Sequence, residues 1–318
     1  MSFIKTWELT KKYYTDSGWK KKMAVLAVDN ISFSIDKDQT IGIVGESGCG
    51  KSTLLRLLLR LEPPTAGKIF HDEKDITVLK DKELKFYRRK VQAVFQDPAS
   101  SLNQRFTVRK IILEPLNSFH PEIPEKEKEL TAAGILEQVG LQKADMNRYP
   151  HELSGGQQRR VAIARALSIK PQLIICDEAT SGLDVSVQAQ ILNLLGDLRD
   201  TLKINYLFVS HDLAAVRYLC PKVAVMYAGK IVEILSAPTK DSAFHPYTKA
   251  LMAGEPDFQG DKKLTILPGE PPDASRYPSG CRFHPRCPEV TNICKEVNPE
   301  LTEISQGHKA ACHKINNQ

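Results

Sequence analysis

The alternation of apolar and polar positions predicts strands and helices in turn along the first two thirds of the chain. Residues 26–35 alternate at a period near two, and residues 41–44 form a short, fully apolar strand. A glycine-rich loop follows, and residues 52–61 have the spacing of a helix that ends before Pro63. The order of strand, glycine loop and helix is the order that a phosphate site requires.

A mostly helical insertion is predicted at about residues 100–167, where apolar positions recur at spacings of three and four. Beyond it, the fully apolar strand 173–176 and the strand 206–209 flank an amphipathic helix at 186–202. This repeated order of strand, helix and strand predicts an α/β fold with a mainly parallel sheet covered by helices.

A change of amino-acid composition near residue 236 predicts a second, smaller unit. Residues 223–227 and 230–234 flank Ala228-Gly229 and predict a β-hairpin, after which ten prolines lie between residues 238 and 299. We therefore expect one domain over residues 1–236 and a loop-rich extension over residues 237–318.

The composition of the chain excludes only a few classes of protein. Hydrophobic residues make up 42% and charged residues 26% of the 318-residue chain, which argues against disorder and coiled coil. The net charge of +6 suits nucleic acid, nucleotide or an anionic membrane equally well. No stretch approaches the roughly 18 apolar residues of a spanning helix, and no apolar signal region begins the chain. We expect a cytosolic chain, so that a transport role would need other chains to supply the path.

The loop after the strand 41–44 fits the phosphate-binding pattern G-x-x-x-x-G-K-[ST]. Glycines let successive backbone N–H groups surround phosphates, and the following helix N-terminus adds partial positive charge. Lys51 is expected to reach the terminal phosphates, and the Ser52 hydroxyl to ligate Mg²⁺. The predicted nucleotide-binding residues of this loop are Gly45, Glu46, Ser47, Gly48, Cys49, Gly50, Lys51, Ser52 and Thr53.

Two adjacent carboxylates, Asp177 and Glu178, end the second apolar strand. Asp177 is predicted to hold Mg²⁺, directly or through water, and Glu178 to polarise a water for attack on a γ-phosphate. The alternative for Glu178, an N-cap of the next helix, fits poorly because about eight residues intervene before that helix.

A second anion-binding device is predicted at the sequence LSGGQ, residues 153–157, directly before a helix. The Ser154 hydroxyl and the backbone N–H groups of the two glycines would lie at that helix N-terminus. Two such devices in one chain suggest that two chains close on one nucleotide.

These motifs, in this order, resemble those of the ABC ATPase family: Walker A at residues 45–53, LSGGQ at 153–157 and Walker B at 173–178. The resemblance covers essentially residues 1–236. It implies ATP hydrolysis on a P-loop NTPase core with a mainly parallel sheet, an antiparallel β-subdomain and a helical subdomain. ATP and Mg²⁺ are the implied ligands.

The resemblance also assigns roles to residues that look ordinary by themselves. Gln96, the Q-loop glutamine, would contact Mg²⁺ or the attacking water and report nucleotide state to membrane subunits. His211, the switch histidine, would contact the γ-phosphate beside Glu178. Tyr13 resembles the aromatic residue that stacks on adenine, and Tyr14 is the competing choice.

In this family, two nucleotide-binding domains dimerise head to tail. The signature of one then contacts the γ-phosphate bound to Walker A of the other. The residues implied in this contact, including one from the D-loop, are Leu153, Ser154, Gly155, Gly156, Gln157 and Asp184.

Three further stretches resemble the branch of oligopeptide, dipeptide and nickel importers: residues 97–105, residues 244–251 and the cysteine cluster at the end of the chain. The extended loop 17–25 fits this branch as well. This implies a peripheral protein at the cytoplasmic face of the membrane, with a second and different ATPase subunit, two permeases and an extracytoplasmic solute-binding protein, but no nucleic acid. Peptide is the favoured cargo. Nickel or another small solute, and a soluble ABC ATPase without a transport role, are the alternatives.

Four of the seven cysteines crowd the end of the chain, which in a chain without an export signal favours metal ligation over disulfides. The tight C-x₂₋₄-C pair usual for structural zinc is absent, since five, six and seventeen residues separate them. Members of the resembled branch carry a [4Fe-4S] cluster on four such cysteines. Zinc and unligated thiols are the alternatives for Cys281, Cys287, Cys294 and Cys312.

Overall fold

The computed structural model describes residues 2–15, 23–236, 238–239, 242–254, 267 and 269–317. Two compact units share the chain: Met1–Val78 with Val209–Gln318, and Leu79–Phe208. Residues 17–22 of the predicted importer-type loop 17–25 lie outside the described residues.

The described strands are, in chain order, β1 Ser2–Thr15, β2 Met23–Ile31, β3 Ser34–Asp36, β4 Ile41–Val44, β5 Ala66–His71, β6 Lys74–Asp75, β7 Val91–Val94, β8 Leu173–Asp177, β9 Asn205–Ser210, β10 Lys222–Tyr227, β11 Lys230–Ser236, β12 Thr302–Ser305 and β13 His308–Ala310. The described α-helices are α1 Lys51–Leu58, α2 Lys85–Lys90, α3 Pro98–Ser101, α4 Val108–Phe119, α5 Glu125–Gln138, α6 Gly155–Leu167, α7 Val185–Leu202, α8 Leu213–Leu219, α9 Pro246–Ala253 and α10 Asn292–Glu296. Among the described residues, none of these helices has the length and apolar composition needed to cross a membrane.

An antiparallel sheet in the first unit has the strand order β2-β1-β5-β6, with β3 also paired to β1. The single strand predicted at residues 26–35 is therefore wrong in detail, because two strands occupy it. Asn30 adopts a left-handed φ of 52°, and Thr6 Oγ1 accepts from Phe33 N and donates to the Ile31 carbonyl. The chain thus passes from one partner segment of β1 to another between Ile31 and Ser34.

A second sheet of the first unit runs in the order β12-β13-β11-β10-β4. Strands β4 and β10 are parallel, whereas β11 is antiparallel to both β10 and β13. The predicted hairpin is confirmed: Ala228 and Gly229 adopt φ of 46° and 82°, the two positive values that a type I′ turn requires. The last residues of the chain return to this sheet, since Ala310 pairs with Glu233.

The predicted strand–loop–helix order around the glycine loop is confirmed. All four residues of β4 are buried, and Leu54, Leu55, Leu57 and Leu58 bury one side of α1. Helix α1 ends three residues before the predicted end at residue 61. Arg60 has a left-handed φ of 52°, which no α-helix continues.

In the second unit, the strands run in the order β9-β8-β7, and β7 and β8 are parallel as predicted. The first four residues of β8 are fully buried, which explains their unbroken apolar run. Helix α4 packs against α5 and α6, and α6 packs against α7. The helical stretch predicted from the sequence therefore corresponds to α3 through α6.

Candidate functional site

The loop between β4 and α1 is held in shape by glycines and by one lysine. Gly50 has φ of 107°, and a Cβ there would overlap the Ala27 carbonyl oxygen. The buried Lys51 Nζ donates to the carbonyl oxygens of Gly45 at 2.7 Å and Glu46 at 3.0 Å. The ammonium thus lies across the mouth of the loop, where it can meet an anion.

Tyr13 lies beside this loop, and its hydroxyl group makes a hydrogen bond. Its hydroxyl donates to Glu62 Oε2 at 2.6 Å, and Lys11 Nζ lies 5.1 Å from its ring centroid. Partial burial, followed by the hydrogen bond to Glu62, raises the pKa of the Tyr13 hydroxyl. Tyr14 is 63% exposed. Glu62 escaped the sequence analysis, because its hydrogen bond with Tyr13 joins two segments that are 49 positions apart in sequence.

Within the second unit, Gln96 is brought to the predicted base. Gln96 Nε2 donates to Glu178 Oε2 at 3.0 Å and approaches Ser181 Oγ at 3.5 Å. Glu178 follows directly after β8 with a left-handed φ of 45°. The N-cap of α7 is Asp184, whose Oδ1 accepts from Val187 N at 2.9 Å, so Glu178 does not cap that helix.

The LSGGQ segment forms a capping box at the start of α6. Ser154 Oγ accepts from Gln157 N at 3.3 Å, and Gln157 Oε1 accepts from Ser154 N at 3.0 Å. Ser154 and Gly155 are exposed, whereas Leu153 is buried. A Cβ on Gly156 would lie 2.8 Å from Val187 Cγ1, so a glycine there permits the close approach of α6 and α7.

Arg159 is a functional candidate that the sequence analysis missed. It is 3% exposed and donates to the carbonyl oxygens of Phe95 at 3.1 Å, Gln96 at 2.6 Å and Ser181 at 3.2 Å. Burial lowers the pKa of its guanidinium. This one side chain connects the signature helix to the backbone of the Q-loop and of the segment after Glu178.

His211 is exposed in the turn between β9 and α8. The turn is fixed by its neighbours: Asp212 N donates to Ser210 Oγ at 3.0 Å, and Asp212 Oδ1 accepts from Ala214 N at 2.9 Å. The sequence Ser-His-Asp thus builds a capped helix start that presents the histidine.

Comparison with known proteins decides the family. A family model described as ABC transporter matches residues 28–181. A probable peptide ABC transporter ATP-binding protein of Sinorhizobium fredii is 46% identical over 98% of this chain and 90% of its own length. This chain belongs to the ABC transporter ATPase family. An oligopeptide transport ATP-binding protein of Bacillus subtilis is also 46% identical, over 95% of this chain and 94% of its own.

The fold agrees with solved ABC cassettes. A dimeric cassette in a post-hydrolysis state, bound to ADP and Pi, matches 74% of this chain and 99% of its own with a TM-score of 0.67 and 29% identity. This chain is an ABC ATPase with the P-loop NTPase fold. A second family model, the C-terminal region of oligopeptide/dipeptide transporters, matches residues 233–294.

The four clustered cysteines of this ABC ATPase line one cavity of about 120 Å³ in the first unit. Cys281 N donates to the Cys294 carbonyl oxygen at 2.8 Å, which ties two of them together. Burial raises the pKa of both the Cys281 and Cys287 thiols to about 11, and the neighbouring cysteines add to the rise. Across the described residues, no three His, Cys, Asp or Glu side chains are placed to hold a single metal ion.

Proposed function

We propose that this chain binds and hydrolyses ATP to power an importer of oligopeptides or dipeptides. The observation that carries the proposal is the 46% identity to a peptide ABC transporter ATP-binding protein over 98% of the chain, which includes the C-terminal segment. The match of residues 233–294 to the oligopeptide/dipeptide transporter region supports the same cargo class. Nickel or another small solute is the alternative cargo.

The first unit would supply the phosphate site. Its loop from Gly45 to Thr53 would surround the phosphates of ATP, with Lys51 on the terminal phosphates and Ser52 on Mg²⁺. Tyr13 would stack on adenine, and His211 would contact the γ-phosphate. The position of Lys51 Nζ against two loop carbonyls supports its part in this proposal.

The second unit would supply the chemistry. Asp177 and Gln96 would assist in holding Mg²⁺, and Glu178 would accept a proton from the attacking water. The hydrogen bond from Gln96 to Glu178 supports this role, because it orients the carboxylate. Residues 153–157 and Asp184 would face the nucleotide of a second cassette.

The assembly we propose has a second, different ATPase subunit, two membrane permeases and an extracytoplasmic solute-binding protein. The chain would be peripheral at the cytoplasmic face of the cell membrane. We place its domain boundary near residue 236, with the nucleotide-binding domain over residues 1–236, a helical subdomain at about 100–167 and the extension over 237–318.

The test is purification of the tagged chain from detergent-solubilised membranes of the cells that make it. The complex, reconstituted in vesicles, is expected to accumulate a labelled peptide only when ATP is supplied on the side of this chain. The same complex with Glu178→Gln is the control. Uptake of nickel without uptake of peptide would show that nickel is the cargo. Purification of the chain without permeases would contradict a transport role.

For the cysteines, we propose a [4Fe-4S] cluster on Cys281, Cys287, Cys294 and Cys312. The arrangement of four free cysteines around one cavity supports it, because such clusters take four thiolate ligands. Bound there, the cluster would hold four positions of the chain together, a structural role.

Anaerobic purification tests the cluster. About four iron and four sulfide per chain are expected, with the visible absorption of thiolate-ligated iron. The Cys294→Ser variant should lose the cluster. The Cys220→Ala variant, which replaces a buried cysteine outside the cavity, should keep it. One zinc per chain, or no bound metal, would contradict the proposal.

A further inference from the structure

One arginine of the loop between Cys281 and Cys287, Arg286, contacts the Walker A loop. Both loops lie in the first unit. Arg286 donates from Nη1 to Glu46 Oε2 at 2.7 Å and from Nη2 to Glu46 Oε1 at 3.0 Å. Arg286 is 6% exposed. A two-pronged pair of this kind, with its guanidinium buried, fixes orientation as well as charge.

Two tyrosine side chains also contact this pair. Tyr247 Oη accepts from Glu46 N at 2.9 Å, and Arg286 Nη1 approaches Tyr227 Oη at 3.4 Å. The rings of Tyr227 and Tyr247 lie 4.6 Å apart, with Phe283 against both. Glu46 is thus held at its backbone and at its side chain by residues far along the chain.

A second arginine of the same loop is connected to Cys49, in the middle of Walker A, through a hairpin turn. Arg282 donates to the Ala228 carbonyl oxygen and to Asp29. The next residue of that hairpin turn, Gly229, donates from its N to the Cys49 carbonyl oxygen at 2.8 Å. The Cys281–Cys287 loop therefore supports the Walker A loop at two points.

We propose that Arg286 is a positioning residue for the Walker A loop, through which the state of the four-cysteine cavity and ATP binding are coupled. Arg286 directly precedes Cys287, which lines the cavity, so ligation or release of that thiol acts on the adjacent residue. The inference rests on the proposed function, since it requires ATP on the Walker A loop.

The first test is a double-mutant cycle on the dissociation constant for ATP in the intact chain. Arg286→Met is expected to weaken binding by about tenfold, since it removes a charge-assisted pair that orients the loop. The double variant, which also carries Glu46→Gln, should bind ATP little more weakly than Arg286→Met alone. Arg286→Lys, which keeps the charge but not the fork, should fall between. Arg276→Met, an exposed arginine of the same segment, is the matched control.

The second test uses reciprocity, because coupled sites affect each other equally. Iodoacetamide is applied anaerobically to the protein as purified, with and without ATP and Mg²⁺, and mass spectrometry assigns each modified cysteine. ATP is expected to slow modification of Cys287 and Cys294 severalfold in the unmodified chain but not in Arg286→Met. Cys49 is counted separately, because it lies in the Walker A loop itself.

Additive effects in the cycle, or equal protection by ATP in Arg286→Met and in the unmodified chain, would overturn the coupling. Thermal unfolding shows whether Arg286→Met is folded, and Arg286→Lys takes its place in both tests if it is not. Failure of the unmodified chain to bind ATP would instead overturn the proposed function.

Discussion

Gln96 Nε2 donates a hydrogen bond to Glu178 Oε2 across 82 positions of sequence, at 3.0 Å. This contact orients one carboxylate oxygen of Glu178. It also connects Gln96, the predicted Q-loop glutamine, directly to the predicted base.

Glu178→Gln is expected to bind ATP normally and to lose steady-state hydrolysis. Glutamine has nearly the same shape but cannot accept a proton from the attacking water, and loss of such a base slows chemistry by about 10²–10⁴-fold. Steady-state phosphate release and ATP affinity are measured in the assembled complex, with the corresponding acid of the partner ATPase also replaced. Turnover at the unmodified rate would show that Glu178 is not the base.

Lys51→Ala is expected to weaken ATP binding by about tenfold or more, because a charge-assisted contact to phosphate oxygens is lost. Calorimetry on the purified chain measures the effect. Lys126→Ala, an exposed lysine of α5, is the control and should bind as the unmodified chain does. Equal affinity in the two variants would contradict the assignment of the Walker A loop.

Arg159→Met is expected to lower the free energy of unfolding by about 1–3 kcal/mol, since three backbone carbonyls lose a buried donor. Turnover should fall roughly tenfold at saturating ATP, because displaced Q-loop and D-loop backbone misplaces reacting groups. Denaturant unfolding and ATPase assays measure the two effects. Arg105→Met, at an exposed position, should change neither, and a stable, fully active Arg159→Met would refute the role.

His245 is expected to make the fold less stable as pH falls. Its Nδ1 accepts from Tyr247 N at the start of α9, and full burial lowers the pKa of the imidazole to about 3. The unfolded chain then binds more protons below its ordinary pKa of about 6.5, so stability falls by up to about 1.4 kcal/mol per pH unit between pH 6.5 and 3.

His245→Asn provides the comparison, since asparagine can also cap α9 but does not titrate. Denaturant unfolding of both proteins between pH 7.5 and 5.5, at roughly quarter-unit steps, isolates the contribution of His245. Parallel pH profiles for the two proteins would show that His245 titrates alike in the folded and unfolded chains.

The local elements were predictable because their signals lie in consecutive residues. The glycine loop, the apolar strand before Asp177 and the helix start at Ser154 each depend on a short run of backbone, and the structure has them as predicted. Periodicity alone missed the break between β2 and β3, because pairing with two different segments of β1 decides it.

The sequence by itself determined the chemistry: a phosphate loop, a strand ending in two carboxylates, a helix start for a second anion and four clustered thiols. Tertiary structure alone decided which distant residues meet. Arg159 with three backbone carbonyls, Glu62 with Tyr13, and Arg286 with Glu46 join segments up to 240 residues apart. Such pairs have no periodic or local signature, since burial of a charged group is stable only where folding supplies its partner.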